Sequence, residues 1–333
     1  MGIESTAHTF GVGIVDNGNV LADVRSRYIP KKGGILPREV AEYFSSVAGS
    51  SIREALASAG IGIKEVNAIG VALGPGMGPQ LRIGASVARA ISAKYDIPLV
   101  PVNHAVAHIE IGRYVTGLND PVVLYVSGGN TIITTYVEGR YRVFGETLDI
   151  ALGNLLDTFA RDVGIGPPYI INGDHVVDVC AESGKYIKGF PYVVKGQDVS
   201  LSGLLTAAES YARNGRELSD ICYTLREVSF SSIAEVTERC IAHTNKKELL
   251  LTGGVAANKV LNKKLEVLSS ERGIDYRPVP FRYAGDNGVM IALTAWLEFQ
   301  SGITIRPEDA YIEQRWRLDE VEIPWYYSMG QGS

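Results

Sequence analysis

The sequence predicts an α/β protein built twice on one plan, two similar lobes with a central cleft, and three observations predict it. Strand-like runs alternate with helical ones, the order of elements restarts after residue 118, and the glycine-rich turns fall where strands end. Strands alternating with helices imply a mixed sheet covered by helices. Repetition of the whole order implies two such lobes, taken as residues 1–118 and 119–333.

The first lobe opens with a hairpin. TFGVGIVD and VLADVRSRYI alternate around Asn17–Gly18, a pair suited to the positive φ of a tight turn. A helix follows over roughly 38–60, then the strand NAIGVALG (67–74), a helix from near Gln80, and the strand PLVPV (98–102). The stretch VNHAVAHIEIGR (102–113) begins the next helix. From Pro121 the plan restarts: PVVLYVSGGNTIITTYVEGRYRVFG reads as strand, glycine turn, strand, Glu138–Gly139 turn, strand. Helical segments fill 149–163 and much of 203–244, with insertions between them. KELLLTGG (247–254) answers NAIGVALG, the helix 258–272 answers the one after Gln80, and DYRPVP (275–280) answers PLVPV. GDNGVMIALTAWLEF (285–299) sits where NHAVAHIEIGR sat, and the tail beyond it is free to pack back on the first lobe.

A chain of 333 residues suffices for two domains, and 46% hydrophobic with 21% charged residues fits a soluble globular protein. No run of eighteen apolar residues occurs, and MGIESTAHTFG lacks the basic start and apolar core of a signal peptide. The expected location is the cytoplasm, with no membrane contact. Cys180, Cys222 and Cys240 form no CxxC pair and are read as buried, reduced thiols. A net charge of −5 argues against a broad grip on nucleic acid by this chain alone. It leaves room for a local basic patch or a partner's help. Lys31–Lys32, Lys246–Lys247, Lys259 and Lys263–Lys264 are the candidate contacts.

Glycine clusters in GPGMGP (74–79), SGGN (127–130), TGGVAAN (252–258) and YAGDNG (283–288), each after a β-like run. Glycine there lets backbone N–H groups approach a ligand, so a phosphate- or nucleotide-binding cleft is expected. His104 and His108 are four residues apart, which on a helix aims both imidazoles the same way. The repeat puts Asp286 at the matching helix start. Two imidazoles and a carboxylate suit iron, zinc or manganese, whereas a single histidine more often caps or packs its helix. In the zinc-protease motif HExxH a glutamate is the general base. Here the motif is His-Ala-Val-Ala-His, so no such base is present.

GIESTAHTFGVGIV, PREVAEYF, GPGMGPQLRIGASVAR, VNHAVAHIEIGR, LYVSGGNT, ALGNLLDTFAR, TGGVAAN and AGDNGVMIA resemble, in order, the blocks of one family. It is the universal tRNA threonylcarbamoyltransferase family of TsaD-like proteins, and the likeness is strongest to the catalytic KEOPS-complex subunit of archaea and eukaryotes. TIRPEDAYIEQRWRLDEVEIPW is also similar to the archaeal form, so the resemblance runs from Gly2 to about Trp325. It implies the actin/Hsp70/sugar-kinase (ASKHA) fold. It implies transfer of a threonylcarbamoyl group from threonylcarbamoyl-adenylate to N6 of the adenosine just after the anticodon, in tRNAs reading ANN codons, with AMP released. The implied metal ligands are His104, His108 and Asp286, joined by the phenol oxygen of Tyr125. One divalent or trivalent metal is implied, iron foremost, with zinc or manganese as alternatives.

The same resemblance implies that the backbone at Tyr125, Val126, Ser127, Gly128 and Gly129 cradles the donor. Asp157 would bind the ribose hydroxyls, and Asn258 the nucleotide, with ATP, AMP or threonylcarbamoyl-adenylate in the cleft. The implied partners are tRNA, a small kinase-like ATPase, a dimerisation subunit and a tRNA-binding accessory subunit. Two departures stand out. Where the family has Tyr-Pro-Gly-Gly-Pro and then a glutamate, this chain has GIGPPYIINGDHVVDVC (164–180), with Gly173 and Asp178 as the nearest equivalents. Tyr43–Phe44 stands where a His-His pair is common.

Chemistry independent of the family agrees. An amine conjugated to an adenine ring is a poor nucleophile, so the acyl donor needs activation, which a cationic centre supplies. A small-molecule kinase of the same fold needs a catalytic aspartate near a hairpin start. The first hairpin carries Glu4, Ser5, Thr6, His8 and Thr9, and no aspartate before Asp16. The remaining rival is an ATP-binding architectural subunit without catalysis.

Overall fold

Glycine occupies alternate positions of the opening strands, at Gly2, Gly11 and Gly13, and this decides which face of the first sheet a helix can approach. A computed structural model describes residues 1–29 and 36–327. Lys31–Lys32 lie outside the described residues.

In chain order the first elements are β1 (Gly2–Glu4), β2 (Thr9–Asp16), β3 (Asn19–Arg27), α1 (Pro37–Ala59) and β4 (Ile69–Gly74). Next come α2 (Gly78–Tyr95), β5 (Leu99–Asn103), α3 (His104–Thr116), β6 (Val122–Val126), β7 (Thr131–Val137) and β8 (Arg140–Glu146). The inserted region holds α4 (Leu152–Asp162), β9 (Ile170–Ile171), β10 (Asp174–His175), α5 (Val176–Cys180), β11 (Val194–Lys195), β12 (Asp198–Val199) and α6 (Ser202–Arg213). The chain continues through α7 (Leu218–Thr244), β13 (Glu248–Thr252), α8 (Lys259–Arg272), β14 (Asp275–Pro278), α9 (Phe281–Ala284) and α10 (Gly288–Gln300).

Two five-stranded sheets carry the duplication. Their orders are β3-β2-β1-β4-β5 and β8-β7-β6-β13-β14. In the first, β1 is antiparallel to β2 and parallel to β4. In the second, β6 is antiparallel to β7 and parallel to β13. Both hairpin turns take positive φ at their two central residues, Asn17–Gly18 and Glu138–Gly139. The fold is the duplicated ASKHA type that the sequence implied. No described helix is long and apolar enough to cross a membrane.

The compact units divide otherwise than at 1–118 and 119–333. Residues Met1–Gly117, Glu138–Tyr141 and the chain from Gly285 onward make one unit, and Leu118–Val137 with Arg142–Ala284 make the other. The glycine face explains the exchange. Direct partners across a ladder point to the same side, and Gly2 pairs with both Gly13 and Gly70, while Glu4 pairs with Gly11. With side chains stripped from that face, α10 packs on β1, β2 and β4 backbone to backbone. A Cβ on Gly13 would lie 2.3 Å from the Gly288 carbonyl carbon, and one on Gly2 would lie 2.1 Å from the Ala292 nitrogen.

The opposite face bears Ile3, Phe10, Val12, Ile14, Ile69 and Val71, packed with Val40, Phe44 and Ala48 of α1. Tyr43–Phe44 thus serves this core. Phe44 meets Phe10 edge-on at 5.6 Å between ring centroids, and Tyr43 meets Tyr28 at 5.7 Å.

In the second unit, Cys180 at the end of α5 and Cys222 on α7 are disulfide-bonded, with Cα atoms 5.9 Å apart. This corrects the expectation of three reduced thiols. The two lie 42 residues apart in sequence, and only the packing of α5 on α7 joins them. Cys240 is free and buried, and burial pushes its thiol up to about 12.

Candidate metal centre and nucleotide loops

Two asparagine caps set the candidate metal centre. Asn103 ends β5 and caps α3, its Oδ1 accepting from the N–H groups of Ala105 (3.0 Å) and Val106 (3.1 Å). His104 is therefore the first residue of the helix and His108 lies one turn on, with ring centroids 4.7 Å apart. Asn287 caps α10 in the same way, accepting from Met290 N–H at 2.9 Å. The caps are the equivalent positions of the repeat, so Asp286 precedes its cap whereas His104 follows its own.

Asp286 Oδ1 lies 3.3 Å from His108 Nε2 and 3.7 Å from His104 Nε2. The ligand atoms of the three residues all lie within 4.8 Å of one another, and all three belong to the first unit. Glu4, fully buried, places its Oε2 2.9 Å from His104 Nδ1. Its Oε1 accepts from the N–H and the Oγ1 hydroxyl of Thr6, at 2.6 and 2.5 Å. A carboxylate on Nδ1 turns Nε2 toward Asp286, the arrangement found behind metal-bound histidines.

The charges are coupled. Burial works to lower the His104 pKa, but the charge and hydrogen bond of Glu4 and the charge of Asp286 outweigh it and raise it to about 9. Burial lowers His108, helped by the charge of His104. Burial opposes ionisation of Asp286, yet the hydrogen bond from His108 and the charge of His104 hold its carboxyl well below the usual range. An ionised carboxylate facing two imidazole nitrogens, in a pocket of mostly buried polar atoms, fits a cation that replaces the imidazole protons.

The other predicted site residues all lie in the second unit. Tyr125 and Val126 end β6 in the buried core, Ser127 opens the turn, and Gly128 and Gly129 are exposed. Ser127 closes that turn, donating its N–H to Asn130 O at 2.8 Å and accepting from Asn130 N–H at 3.0 Å. Thr252 pairs with Tyr125 across the ladder, so the turn after β13 lies at the same sheet end. There Gly253, at φ 93°, comes so near β6 that a Cβ would sit 2.4 Å from Val126 O.

Asp157 on α4 is part-exposed, with His175 Nε2 3.0 Å from its Oδ1. Gly173 has φ 90° and turns β9 into β10. Asp178 and Asn258, expected separately, meet: Asn258 Nδ2 donates to Asp178 Oδ2 at 2.6 Å. Asn258 Oδ1 caps α8, accepting from Val260 and Leu261 N–H at 3.0 Å each. Burial raises the Asp178 pKa against the pull of Asn258 and Arg226. Several candidate nucleic-acid contacts are engaged within the unit: Lys246 with Asp120, Lys259 with Asp174, Lys263 with Glu266 and Lys264 with Glu227.

Glu4, Thr6 and His175 were not expected at a site. A glutamate ending a buried strand was the available signal for Glu4. For His175 none existed, because its partner lies 18 residues away across irregular chain.

Comparison with known proteins gives the same direction. The TsaD family model, tRNA N6-adenosine threonylcarbamoyltransferase, matches residues 19–293. A protein of that name from Aeropyrum pernix is 65% identical over 328 residues, covering 98% of this chain and 94% of that one. Another from Staphylothermus marinus is 54% identical over 335 residues, covering 98% and 99%. Among solved structures, T. kodakarensis HypF is similar with TM-score 0.59 and 17% identity, over 90% of this chain and 48% of its own. The Acidaminococcus fermentans (R)-2-hydroxyglutaryl-CoA dehydratase component A is similar with TM-score 0.53 and 15% identity, over 89% and 96%. At such identities these two structures speak for the fold alone.

Proposed function

The chain belongs to the TsaD family of tRNA N6-adenosine threonylcarbamoyltransferases, and from that premise we propose that it takes the threonylcarbamoyl group from threonylcarbamoyl-adenylate. The acceptor is N6 of the adenosine 3′-adjacent to the anticodon in tRNAs reading ANN codons, and AMP leaves. The observation that carries the proposal is the convergence of His104, His108 and Asp286, with ligand atoms within 4.8 Å across a 178-residue gap in sequence.

Those three residues would hold the metal, iron foremost, with zinc or manganese as alternatives. When bound, such an ion supplies positive charge that polarises an acyl carbonyl or stabilises charge on a departing phosphate. The protein's own groups do the rest. Glu4 keeps the His104 ring turned with Nε2 outward. The exposed Gly128–Gly129 turn offers backbone N–H groups to anionic oxygens. The Asp157 carboxylate accepts ribose hydroxyls, and Asn258, with Oδ1 spent on its helix cap, keeps an amide N–H for the nucleotide. Gly173 and Asp178 stand in the segment that replaces the family's Gly-Gly and glutamate, where Asp178 braces Asn258.

Because the net charge is −5 and four candidate lysines are paired internally, tRNA binding calls on partners. KEOPS-type subunits fill that role here: a kinase-like ATPase, a dimerisation subunit and a tRNA-binding subunit, acting in the cytoplasm. The test is reconstitution with tRNA, threonylcarbamoyl-adenylate and these subunits, read by nucleoside mass spectrometry alongside metal analysis. Modified adenosine should appear and depend on metal. Consumption of the adenylate with unmodified tRNA would sink the acceptor assignment. Full activity of metal-stripped His108→Ala would sink the metal assignment.

A further inference from the structure

We infer that His175 is a positioning residue for ribose recognition: its Nε2–H holds the Asp157 carboxylate in the orientation that accepts a 2′,3′-diol. The inference rests on the proposed role of Asp157 as the ribose acceptor and adds the residue that makes it selective.

The tautomer follows from the contacts. His175 caps α5, its Nδ1 lying 3.2 Å from Val177 N and accepting from that N–H. A neutral imidazole that accepts at Nδ1 carries its proton on Nε2. That nitrogen lies 3.0 Å from Asp157 Oδ1, so the ring donates to the carboxylate. A neutral donor leaves the carboxylate its full negative charge, and its other lone pairs remain for hydroxyl donors.

The surroundings fix the donor and leave the acceptor open. The His175 side chain is 10% exposed, whereas Asp157 is 38% exposed. His175 pairs with Ile170 across the short β9–β10 hairpin, whose turn needs the positive φ of Asn172 and Gly173. Val176 N–H donates to Tyr169 O at 2.8 Å, and the Tyr169 ring lies parallel to the imidazole, within 2°. A histidine serving only as a helix cap has no need to aim its second nitrogen at a carboxylate on another helix. This geometry belongs to the segment 164–180, where the chain departs from the family pattern. The ligand class is a ribonucleotide with both hydroxyls free.

The experiment measures ATP and 2′-deoxy-ATP affinity by calorimetry on the full chain. Wild type should prefer ATP by roughly tenfold, the worth of one charge-assisted hydrogen bond, and Asp157→Ala should abolish that preference. His175→Asn is the deciding variant, because asparagine is a strong N-cap acceptor but too short to reach Asp157 while capping. It should leave the melting temperature unchanged, lower ATP affinity more than 2′-deoxy-ATP affinity, which keeps only the 3′-hydroxyl contact, and so remove most of the preference. His175→Gln, with a longer amide donor, should restore part of it. A preference kept in His175→Asn but lost in Asp157→Ala would overturn the inference and leave Asp157's role standing. An equal fall for both nucleotides in His175→Asn would also overturn it. A preference kept in Asp157→Ala, or absent from wild type, would remove the ribose assignment and this inference together.

Discussion

Glu4 and His104, 100 residues apart in sequence, are joined by a 2.9 Å contact between Oε2 and Nδ1 deep in the first unit. Thr6 fixes the carboxylate from behind, so the contact sets which imidazole nitrogen faces Asp286. Glu4→Gln keeps the shape but reverses the polarity. Its Oε1 stays with the Thr6 donors, leaving its amide N–H to face Nδ1 and force the ring proton onto Nε2. Metal affinity should fall by about 10- to 100-fold, the usual cost of losing such a partner. Titration of the metal-free protein with Zn2+ or Fe2+ checks this, and an unchanged affinity would assign Glu4 to folding alone.

The start of α10 reaches His108 only because two backbones touch. A Cβ on Gly288 would lie 2.2 Å from Gly13 N. Gly13→Ala and Gly288→Ala should each cost roughly 1–3 kcal/mol of stability, the range for overpacking. Both should also weaken metal binding by moving Asp286, although neither residue is a ligand. Denaturation and metal titration of the same samples read the two effects. Weakened stability with intact metal affinity would show that Asp286 is positioned independently of the glycine contact.

The disulfide gives a redox-dependent stability. Closing a 42-residue span restricts the unfolded chain by up to roughly 4 kcal/mol. Reductant, or Cys222→Ser, should lower the melting temperature, and Cys240→Ser should abolish the thiol titre of the denatured, unreduced protein. Three titratable thiols without reductant would show the Cys180–Cys222 pair to be open.

Glu298 makes a pH dependence. Burial, with the charge of Glu110 adding to it, holds this carboxyl protonated far above its usual 4.5. Its Oε2 has no hydrogen-bond partner among the described residues. The unfolded chain releases this proton above about 4.5 and the folded chain does not, so stability falls as pH rises toward the folded value. Glu298→Met removes this group's share of the slope and should be more stable than wild type at pH 5 by roughly 1–3 kcal/mol, the cost of an unpaired buried oxygen, with a larger gain at pH 8. Equal slopes in urea denaturation would contradict this.

The duplicated order of elements is legible along the chain alone, because hydrophobic periodicity and turn residues are local signals that the sequence carries twice. So is the histidine pair, since the four-residue spacing of His104 and His108 on a helix is a local fact. Tertiary structure decided what those residues meet. Asp286 joins the first unit because glycines in β1 and β2 admit α10 at backbone distance. Cys180 pairs with Cys222 because α5 lies on α7. Glu4 and His175 gain their roles from partners 100 and 18 residues away. Such contacts depend on how elements pack, and packing is a property of side-chain volume summed over the whole chain, which no short stretch of sequence contains.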